Sequence, residues 1–154
     1  MMLLRHGKFY LLFALLAMTT ACSTPQARLT ISSTANLNLN DSDEPLPVMV
    51  NIYQLGDNKV FEEASFADLW KKDLATLGDS MLTKETLTIN PASQERLVFE
   101  RHAQAKYIGV MAIFRKPEKE EWRATKAVAD GFFKKKMSTT LNVNLKSNTV
   151  DITD

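Results

Sequence analysis

Alternation of hydrophobic and polar residues dominates the chain after residue 27 and predicts a protein built mostly of β-strands. Successive side chains of a strand point to opposite faces, so a half-buried strand has an apolar residue at every second position. Leu141, Val143 and Leu145 show this pattern most clearly, with asparagines between them. The run 107–114 is instead continuously apolar, as in a strand that is buried on both faces. About eight strands are predicted, within residues 28–39, 48–55, 86–89, 94–100, 107–114, 122–129 and 138–145 and around Val150 and Ile152.

One segment has helical spacing in place of alternation. Ser65 is a favourable N-cap and Gly78 suits the position that ends a helix, so a helix is predicted at about residues 65–77. The apolar residues expected to face the core recur every three or four positions: Phe66, Leu69, Trp70, Leu74 and Leu77. Together the elements predict a mainly β protein, an antiparallel β-sandwich with one added α-helix.

The N-terminus has the layout of a secretory signal. Arg5 and Lys8 give it a positive start, and the uncharged apolar run 10–18 is shorter than the roughly 20 residues that a membrane-spanning helix needs. Small residues follow and then Cys22, which is the arrangement of a bacterial lipobox. We therefore expect residues 1–21 to be removed, residues 22–27 to form a lipidated tether, and residues 28–154 to form one periplasmic domain.

Cys22 is the predicted lipidation site, and it would hold a covalent diacylglycerol and an N-acyl chain. It is the only cysteine in the chain, and an unpaired thiol in an exported protein calls for such an explanation. Thr19 stands where lipoboxes usually have leucine. With Ala21 it would also suit an ordinary signal peptidase, which would leave Cys22 as a free thiol. Ser23 is the predicted sorting residue, because an aspartate there tends to retain lipoproteins in the inner membrane and its absence favours the outer membrane.

Charge and composition argue against several classes of function. Removal of residues 1–21 takes away two of the 19 basic residues and leaves 17 against 18 acidic ones, a balance that offers no basic surface for nucleic acid. His102 would then be the one remaining histidine, so a His/Cys metal cluster is not available. No nucleophile motif accompanies His102 that would make it part of a catalytic site. We therefore expect no enzyme, no catalytic residue, no metal site and no cofactor besides the covalent lipid.

An acidic, turn-rich loop is predicted between the first two strands. It consists of Asn40, Asp41, Ser42, Asp43, Glu44 and Pro45. It could be a solvated hairpin loop, or it could be a recognition surface, because binding residues concentrate on loops that a rigid scaffold holds. In the second interpretation its acidity suggests a basic complement on the partner. Neutralising the three acids should then slow association and flatten its salt dependence.

The run Pro-Leu-Pro-Val-Met-Val-Asn-Ile-Tyr-Gln-Leu-Gly-Asp-Asn stands at residues 45–58 and is followed by Phe61 and by Phe-Ala-Asp-Leu at residues 66–69. In these segments, of which the run 45–58 is the most specific, the sequence resembles the TssJ (SciN) family of type VI secretion lipoproteins, and the resemblance covers essentially the whole chain that follows the signal. The apolar run 109–114 and the Trp-Arg pair at residues 122–123 fit the later part of the family pattern. A lipobox precedes these segments at the expected distance.

The resemblance implies a transthyretin-like β-sandwich with an added helix, in the membrane complex that anchors a contractile injection machine. It implies a lipid-anchored protein on the periplasmic face of the outer membrane that binds the periplasmic C-terminal domain of the inner-membrane protein TssM. In the family the loop between the first two strands makes a key part of that contact, which here corresponds to residues 40–46. Several copies would join TssM and TssL in a ring, where each tethered contact raises the effective concentration of the next.

Two other functions remain open for this fold, because fold alone does not determine function. The domain could bind and carry a small ligand, which would require an apolar pocket with a few convergent polar groups. It could instead inhibit an envelope enzyme through a rigid, substrate-like loop.

Overall fold

The structure is a computed structural model that describes residues 24–117, 119–128 and 138–154. The predicted signal peptide, Cys22, Ser23 and the lysine run 134–136 lie outside these residues. The strands are β1 (Gln26–Ser33), β2 (Val48–Leu55), β3 (Met81–Ile89), β4 (Gln94–Glu100), β5 (Tyr107–Ala112), β6 (Arg123–Ala127), β7 (Thr139–Lys146) and β8 (Thr149–Thr153). Two helices, α1 (Lys59–Glu63) and α2 (Phe66–Leu77), lie between β2 and β3, and the short 3₁₀ turn Gly78–Ser80 follows them.

The strands form two four-stranded sheets, sheet A in the order β4-β1-β7-β8 and sheet B in the order β3-β2-β5-β6. The predicted mainly β architecture is therefore confirmed, but one pairing differs from the antiparallel prediction. β1 and β7 run parallel, with Ala27 opposite Thr139 and Ser33 opposite Leu145. The other pairs within the described residues are antiparallel. Strand alternation reports which face is buried and not which neighbour a strand takes, so this pairing left no signal in the sequence.

β2 lies in the interior of the molecule and is buried on both faces, with Met49 as its one exposed residue. Tyr53 points towards the helices, because its ring lies 5.5 Å from the ring of Phe61 in α1. Its neighbour Ile52 therefore points the other way, into the core between the two sheets. The helices thus form a third layer over sheet B, which explains why β2 is apolar on both faces.

Helix α2 begins and ends where the sequence predicted. Ser65 is its N-cap, and the Ser65 hydroxyl accepts a hydrogen bond from the Asp68 N–H at 3.2 Å. Gly78 ends the helix with φ at +49°, a conformation that a residue without a Cβ adopts at little cost.

The preceding helix α1 was not predicted. Arg123 of β6 holds its C-terminal end, because Nη1 donates to the carbonyl oxygens of Phe61 and Ala64.

The exposed face of α2 differs from the prediction. Leu69 and Leu77 are buried, but Trp70 is 50% exposed and Leu74 is 69% exposed, so the expectation that both belong to the core was wrong. A kink at Lys72, whose φ of −144° and ψ of 30° are not helical, accounts for the exposure of Leu74 but not for that of Trp70, which precedes it. A kink changes the direction of the side chains that follow it, so the single apolar stripe of a straight helix is not preserved.

A partly buried polar cluster fixes α2 to sheet B. The Tyr53 hydroxyl donates to Asp73 Oδ2 at 3.0 Å, and Lys84 Nζ donates to the same oxygen at 2.5 Å. Burial raises the pKa of Tyr53, and the Asp73 charge raises it further, so the hydroxyl keeps its proton. Burial also acts to raise the pKa of Asp73. The hydrogen bonds from Lys84, Tyr53 and the Leu74 N–H outweigh it, and the net pKa of Asp73 lies below its ordinary value.

Gly109 of β5 lies where Phe61 rests on sheet B. A Cβ at this position would lie 3.0 Å from Leu55 Cδ1 and 3.2 Å from Phe61 Cζ, which is tighter than most packed side chains, so these neighbours would have to shift by a few tenths of an ångström. We predict that Gly109→Ala lowers the free energy of unfolding by about 1 to 3 kcal/mol, the usual cost of overpacking a core. Urea unfolding measures the change. Gly56→Ala is the matched control, because its Cβ would meet only the Ser80 carbonyl oxygen at 4.0 Å.

The lowered pKa of Asp73 predicts a pH dependence of stability. A carboxyl whose folded-state pKa is depressed contributes stability above its unfolded pKa of about 3.9, and this contribution is lost as the pH falls through the folded pKa. We expect Asp73→Asn to lower the free energy of unfolding at pH 7 by about 1.5 to 3 kcal/mol, the range for hydrogen bonds to a charged group. The difference from the unmodified chain should shrink below about pH 4. Asp79→Asn, at an exposed position, is the control, and an equal deficit at pH 7 and pH 2 would contradict the assignment.

Candidate partner-binding loop

The predicted loop 40–46 lies in the connection from β1 to β2, which crosses from sheet A to sheet B. The two strands are not paired, so the hairpin interpretation was wrong. Leu37 is fully buried at the base of the loop, and the Leu46 N–H donates to its carbonyl oxygen at 3.1 Å. Residues 41–45 are exposed. The loop is therefore fixed to the core at its base and open to solvent at its tip.

Asn40 organises the tip of the loop. Its Oδ1 accepts hydrogen bonds from the N–H groups of Ser42 at 2.8 Å and Glu44 at 2.9 Å. Its Nδ2 donates to Glu44 Oε2 at 2.8 Å. Asp43 adopts a positive φ of 59°, which aspartate tolerates better than most residues. The sequence predicted that Asn40 belongs to the loop, and the structure shows that the Asn40 side chain fixes the shape of the loop tip.

Asn38 ties the loop to the neighbouring connection after β5, and the sequence analysis missed it. Its side chain is buried: Nδ2 donates to the Pro47 carbonyl oxygen at 3.0 Å, and Oδ1 accepts from the Arg115 N–H at 2.9 Å. Its φ is 49°. Asparagine is enriched at such positions, so the Leu-Asn-Leu-Asn stretch at residues 37–40 held a turn signal that alternation concealed.

The charges of the loop are partly compensated within the protein. Lys116 Nζ lies 2.7 Å from Asp41 Oδ1, and Arg115 Nη2 lies 3.7 Å from Asp41 Oδ2. The hydrogen bond and the charge of Lys116, followed by the charge of Arg115, lower the pKa of Asp41. Asp43 and Glu44 are exposed beside this pair. The loop is therefore not the purely acidic surface that the sequence suggested, because two cations border it.

The start of β1 and the loop 40–46 lie at opposite ends of the sandwich. The Pro25 carbonyl oxygen accepts a hydrogen bond from the Arg101 N–H at 2.8 Å, and β1 begins at the next residue. We call this end the Pro25 pole and the other end the loop pole. The eight residues of β1 lead from one to the other, a distance of about 25 Å.

The tether is shorter than predicted. The boundary placed at residue 27 was wrong, because Gln26 and Ala27 already belong to β1 and Ala27 is fully buried. Cys22 precedes Pro25 by three residues, which span at most about 10 Å. A lipid on Cys22 would therefore hold the Pro25 pole close to a membrane.

The described residues carry few features of a metal site, a membrane-spanning helix or a ligand pocket. No group of three metal-ligating side chains occurs among them, and within the same residues neither helix has the length and apolar character that crossing a bilayer requires. His102 lies in a loop as predicted, where its Nδ1 accepts from the Gln104 N–H at 3.2 Å. A cleft of about 510 Å³ lies beside it. Thr24, Glu100 and Ala103 line that cleft and are exposed, so it is a surface feature and not an enclosed apolar pocket.

Comparison with known families gives one match. The model of the type VI secretion lipoprotein family, which names VasD, EvfM and TssJ, matches residues 25–148. This range includes both poles, the loop 40–46 and the strands β1 to β7. No curated protein matches the sequence at a significant level.

Solved structures share the fold. The type VI secretion lipoprotein TssJ1 from Pseudomonas aeruginosa has a TM-score of 0.74 at 18% identity, over 85% of this chain and 96% of that one. Serratia marcescens Lip, a membrane-bound component of the type VI secretion system, has a TM-score of 0.77 at 16% identity, over 84% and 97%. A chain in the structure of the TssM C-terminal domain (869–1107) from EAEC has a TM-score of 0.70 at 22% identity, over 84% and 98%. The predicted fold class is thereby confirmed.

The role of Asn40 can be tested directly. We predict that Asn40→Ala leaves the sandwich folded and raises amide hydrogen exchange at Ser42 and Glu44 at least tenfold, because both N–H groups lose their acceptor. Hydrogen exchange followed by NMR measures the effect. Ser42→Ala is the control, since the Ser42 hydroxyl takes no part in these contacts with Asn40. Unchanged protection in Asn40→Ala would show that the loop does not depend on this side chain.

Proposed function

The chain belongs to the type VI secretion lipoprotein family, and we propose that it anchors the type VI secretion membrane complex by binding the periplasmic C-terminal domain of TssM through residues 40–46. In this proposal Cys22 holds the diacylglycerol and the N-acyl chain, and Ser23 directs the protein to the periplasmic face of the outer membrane. The domain then links that membrane to a partner that is rooted in the inner membrane.

The separation of the two poles is the observation that supports this function. A lipid on Cys22 holds the Pro25 pole within about 10 Å of the membrane. The loop lies about 25 Å further away, the length of β1, and its exposed tip faces away from the anchor. A protein that joins a membrane to a partner beneath it needs its two attachment points at opposite ends.

The loop also has the rigidity that recognition favours. Its tip is ordered by Asn40, and its base is held by Leu37 and Asn38. A preformed loop loses little conformational entropy on binding, so more of the contact energy appears as affinity. The TssM C-terminal domain is proposed as the partner because a chain in its solved structure shares this fold.

Several copies in a ring with TssM and TssL would strengthen the attachment. Each copy is held at the same membrane, so after one contact forms the others occur at a high effective concentration. Moderate affinity of a single loop is then sufficient. For the alternative of a small-ligand carrier, the described clefts offer no enclosed apolar pocket that would favour it.

The central test is binding of the chain without residues 1–21 to the TssM periplasmic domain of the same cell. A variant in which a short Gly-Ser turn replaces residues 40–45 keeps Leu46, whose N–H closes the base of the loop. We expect this variant to lose binding. The control replaces Ala103 and Gln104, at the Pro25 pole, with Gly and Ser and should bind normally. Full binding by a folded loop variant, or none by the intact chain, would contradict the proposal.

The contribution of charge needs a matched pair of variants. Asp43→Asn with Glu44→Gln removes two acidic groups, so the loop pole becomes more positive by two charges. Asp41→Asn with Lys116→Gln also removes two charged groups, but these two groups form an ion pair with each other, so the net charge is unchanged. If long-range attraction guides association, we expect only the first pair to slow the on-rate and flatten its salt dependence. Equal effects of the two pairs would contradict electrostatic steering.

A further inference from the structure

Strand β4 lies at the edge of sheet A. It stands first in the order β4-β1-β7-β8, so within the described sheets β1 is its one strand neighbour. Leu97 and Phe99 are its partly buried residues and the others are exposed, among them Val98 at 54%. The backbone groups on the outer side of an edge strand can bond to another extended chain. We call this outer side the β4 edge.

The hydrogen bonds at the two ends of β4 show which backbone groups reach this edge. The Arg101 N–H donates to the Pro25 carbonyl oxygen at 2.8 Å, and the Ser33 N–H donates to the Ser93 carbonyl oxygen at 3.0 Å. Both pairs continue the register of β4 with β1, in which bonded pairs alternate with non-bonded ones. The odd-numbered residues of β4 therefore bond to β1. The N–H and C=O groups of the even-numbered residues point to the edge: Gln94, Arg96, Val98 and Glu100.

The side chains of the β4 edge are evenly spaced around Val98. Arg96 lies two residues before it and Glu100 two residues after it, so all three project from the same face of the strand. Leu97 and Phe99 project from the other face and pack against the core. A positive charge, an apolar side chain and a negative charge therefore follow one another along the edge.

We propose that the β4 edge binds a second copy of this chain, with the two β4 strands antiparallel and a two-fold axis at Val98. Val98 then lies opposite its counterpart and exchanges two N–H···O=C bonds with it, as a bonded antiparallel pair does. Arg96 lies opposite Glu100 of the second copy, and the same pair recurs on the other side of the axis. Opposite charges that face each other across antiparallel strands stabilise the pairing.

The charges select this register among those that backbone bonding allows. With the axis at Leu97, Arg96 would face Val98 and its charge would have no counterpart. With the axis at Arg96, two arginines would face each other, which is destabilising. In the proposed register the Glu100 carbonyl oxygen accepts from Arg96 as well as from Gln54 Nε2, which donates to it at 2.9 Å. A carbonyl oxygen has two lone pairs for this purpose.

A second copy is favoured over another extended chain because the β4 edge is complementary to itself. When the strand is reversed, each of its two charges meets the opposite sign, and no other segment has to be invoked. The apolar side chains match in the same way. Val98 meets Val98, and the partly exposed Leu97 lies opposite Phe99 of the second copy on the core-facing side.

The pairing has a consequence for the two poles. A two-fold axis across the strands turns the second copy end to end, so the Pro25 pole of one copy lies beside the loop pole of the other. Both copies cannot then stand on the same membrane with their loops 40–46 directed away from it. The pair therefore belongs to copies that are not yet part of the anchored complex, and it goes beyond the proposed function.

Sedimentation equilibrium tests the proposal on the chain without residues 1–21, with Cys22→Ser to exclude a disulfide between copies. The described buried residues begin at Ala27, so this chain retains that core. One strand from each copy makes a small interface, and we expect the average mass to rise from one chain to two as the concentration increases. Val98→Pro should remain single, because it removes an N–H that points to the edge and not to β1. Val98→Thr keeps that N–H and should still pair.

Charge exchange tests the same contact without altering the backbone. In Arg96→Glu, and separately in Glu100→Arg, like charges would face each other across the axis, so each variant alone should remain single. A mixture of the two variants restores two opposite-charge pairs. We expect the mixed pair to form about tenfold or more tightly than either variant pairs with itself. This comparison decides the matter if Val98→Pro fails to fold by circular dichroism.

A disulfide tests the register. Cys22 is the only cysteine, so Val98→Cys in the Cys22→Ser chain has a single thiol. In a bonded antiparallel pair the two Cα atoms are about 5.5 Å apart, within the range that a disulfide spans. We therefore expect mild oxidation to link two copies of Val98→Cys. Arg96→Cys is the control, because its counterpart would lie four residues along the strand, about 13 Å away.

Two outcomes would overturn the proposal. One is the mass of a single chain at every concentration. The other is pairing that persists in Val98→Pro and in both charge variants, which would place the contact on another surface. These assays contain neither TssM nor lipid, so a negative result would leave the proposed function unaffected.

Discussion

β2 is buried on both faces, against sheet A on one side and against α1 and α2 on the other, and the arrangement of the whole domain follows from this burial. Because both faces of β2 are covered, the chain reaches the surface only at the two ends of this strand. The chain enters β2 from the loop 40–46 and leaves it for the helices. The loop 40–46 and the start of the helical layer are thereby placed at opposite poles, with the Pro25 pole at the helical end.

The loop has to be exposed for binding and ordered for affinity, and the structure separates these requirements between residues. Leu37 is buried below it and supplies the apolar contact, while Asn38 and Asn40 satisfy the backbone and fix its shape. Asp43 and Glu44 stay exposed at the tip. A loop of this kind can vary in its outer residues without loss of the scaffold, because the interactions that hold it lie at its base.

The sequence predicted those features that depend on local pattern. Alternation located the strands, although β1 ends at Ser33 and not at Leu39 as predicted. Ser65 and Gly78 located the ends of α2, because caps act within one helical turn. The acids and the proline of residues 40–46 marked the loop. The kink at Lys72, the parallel pairing of β1 with β7 and the contacts of Asn38 were not predicted. Each of these depends on segments that meet only in the folded chain.

The central claim is that the anchor and the recognition loop lie at opposite poles, so that the protein can use both at once. The most direct measurement compares two orientations of the same domain on a maleimide surface, one coupled through Cys22 and one through Ser42→Cys in a Cys22→Ser background. The account predicts that the TssM periplasmic domain binds the first with full occupancy and does not bind the second. Equal binding in both orientations, or binding only when residue 42 is coupled, would contradict it.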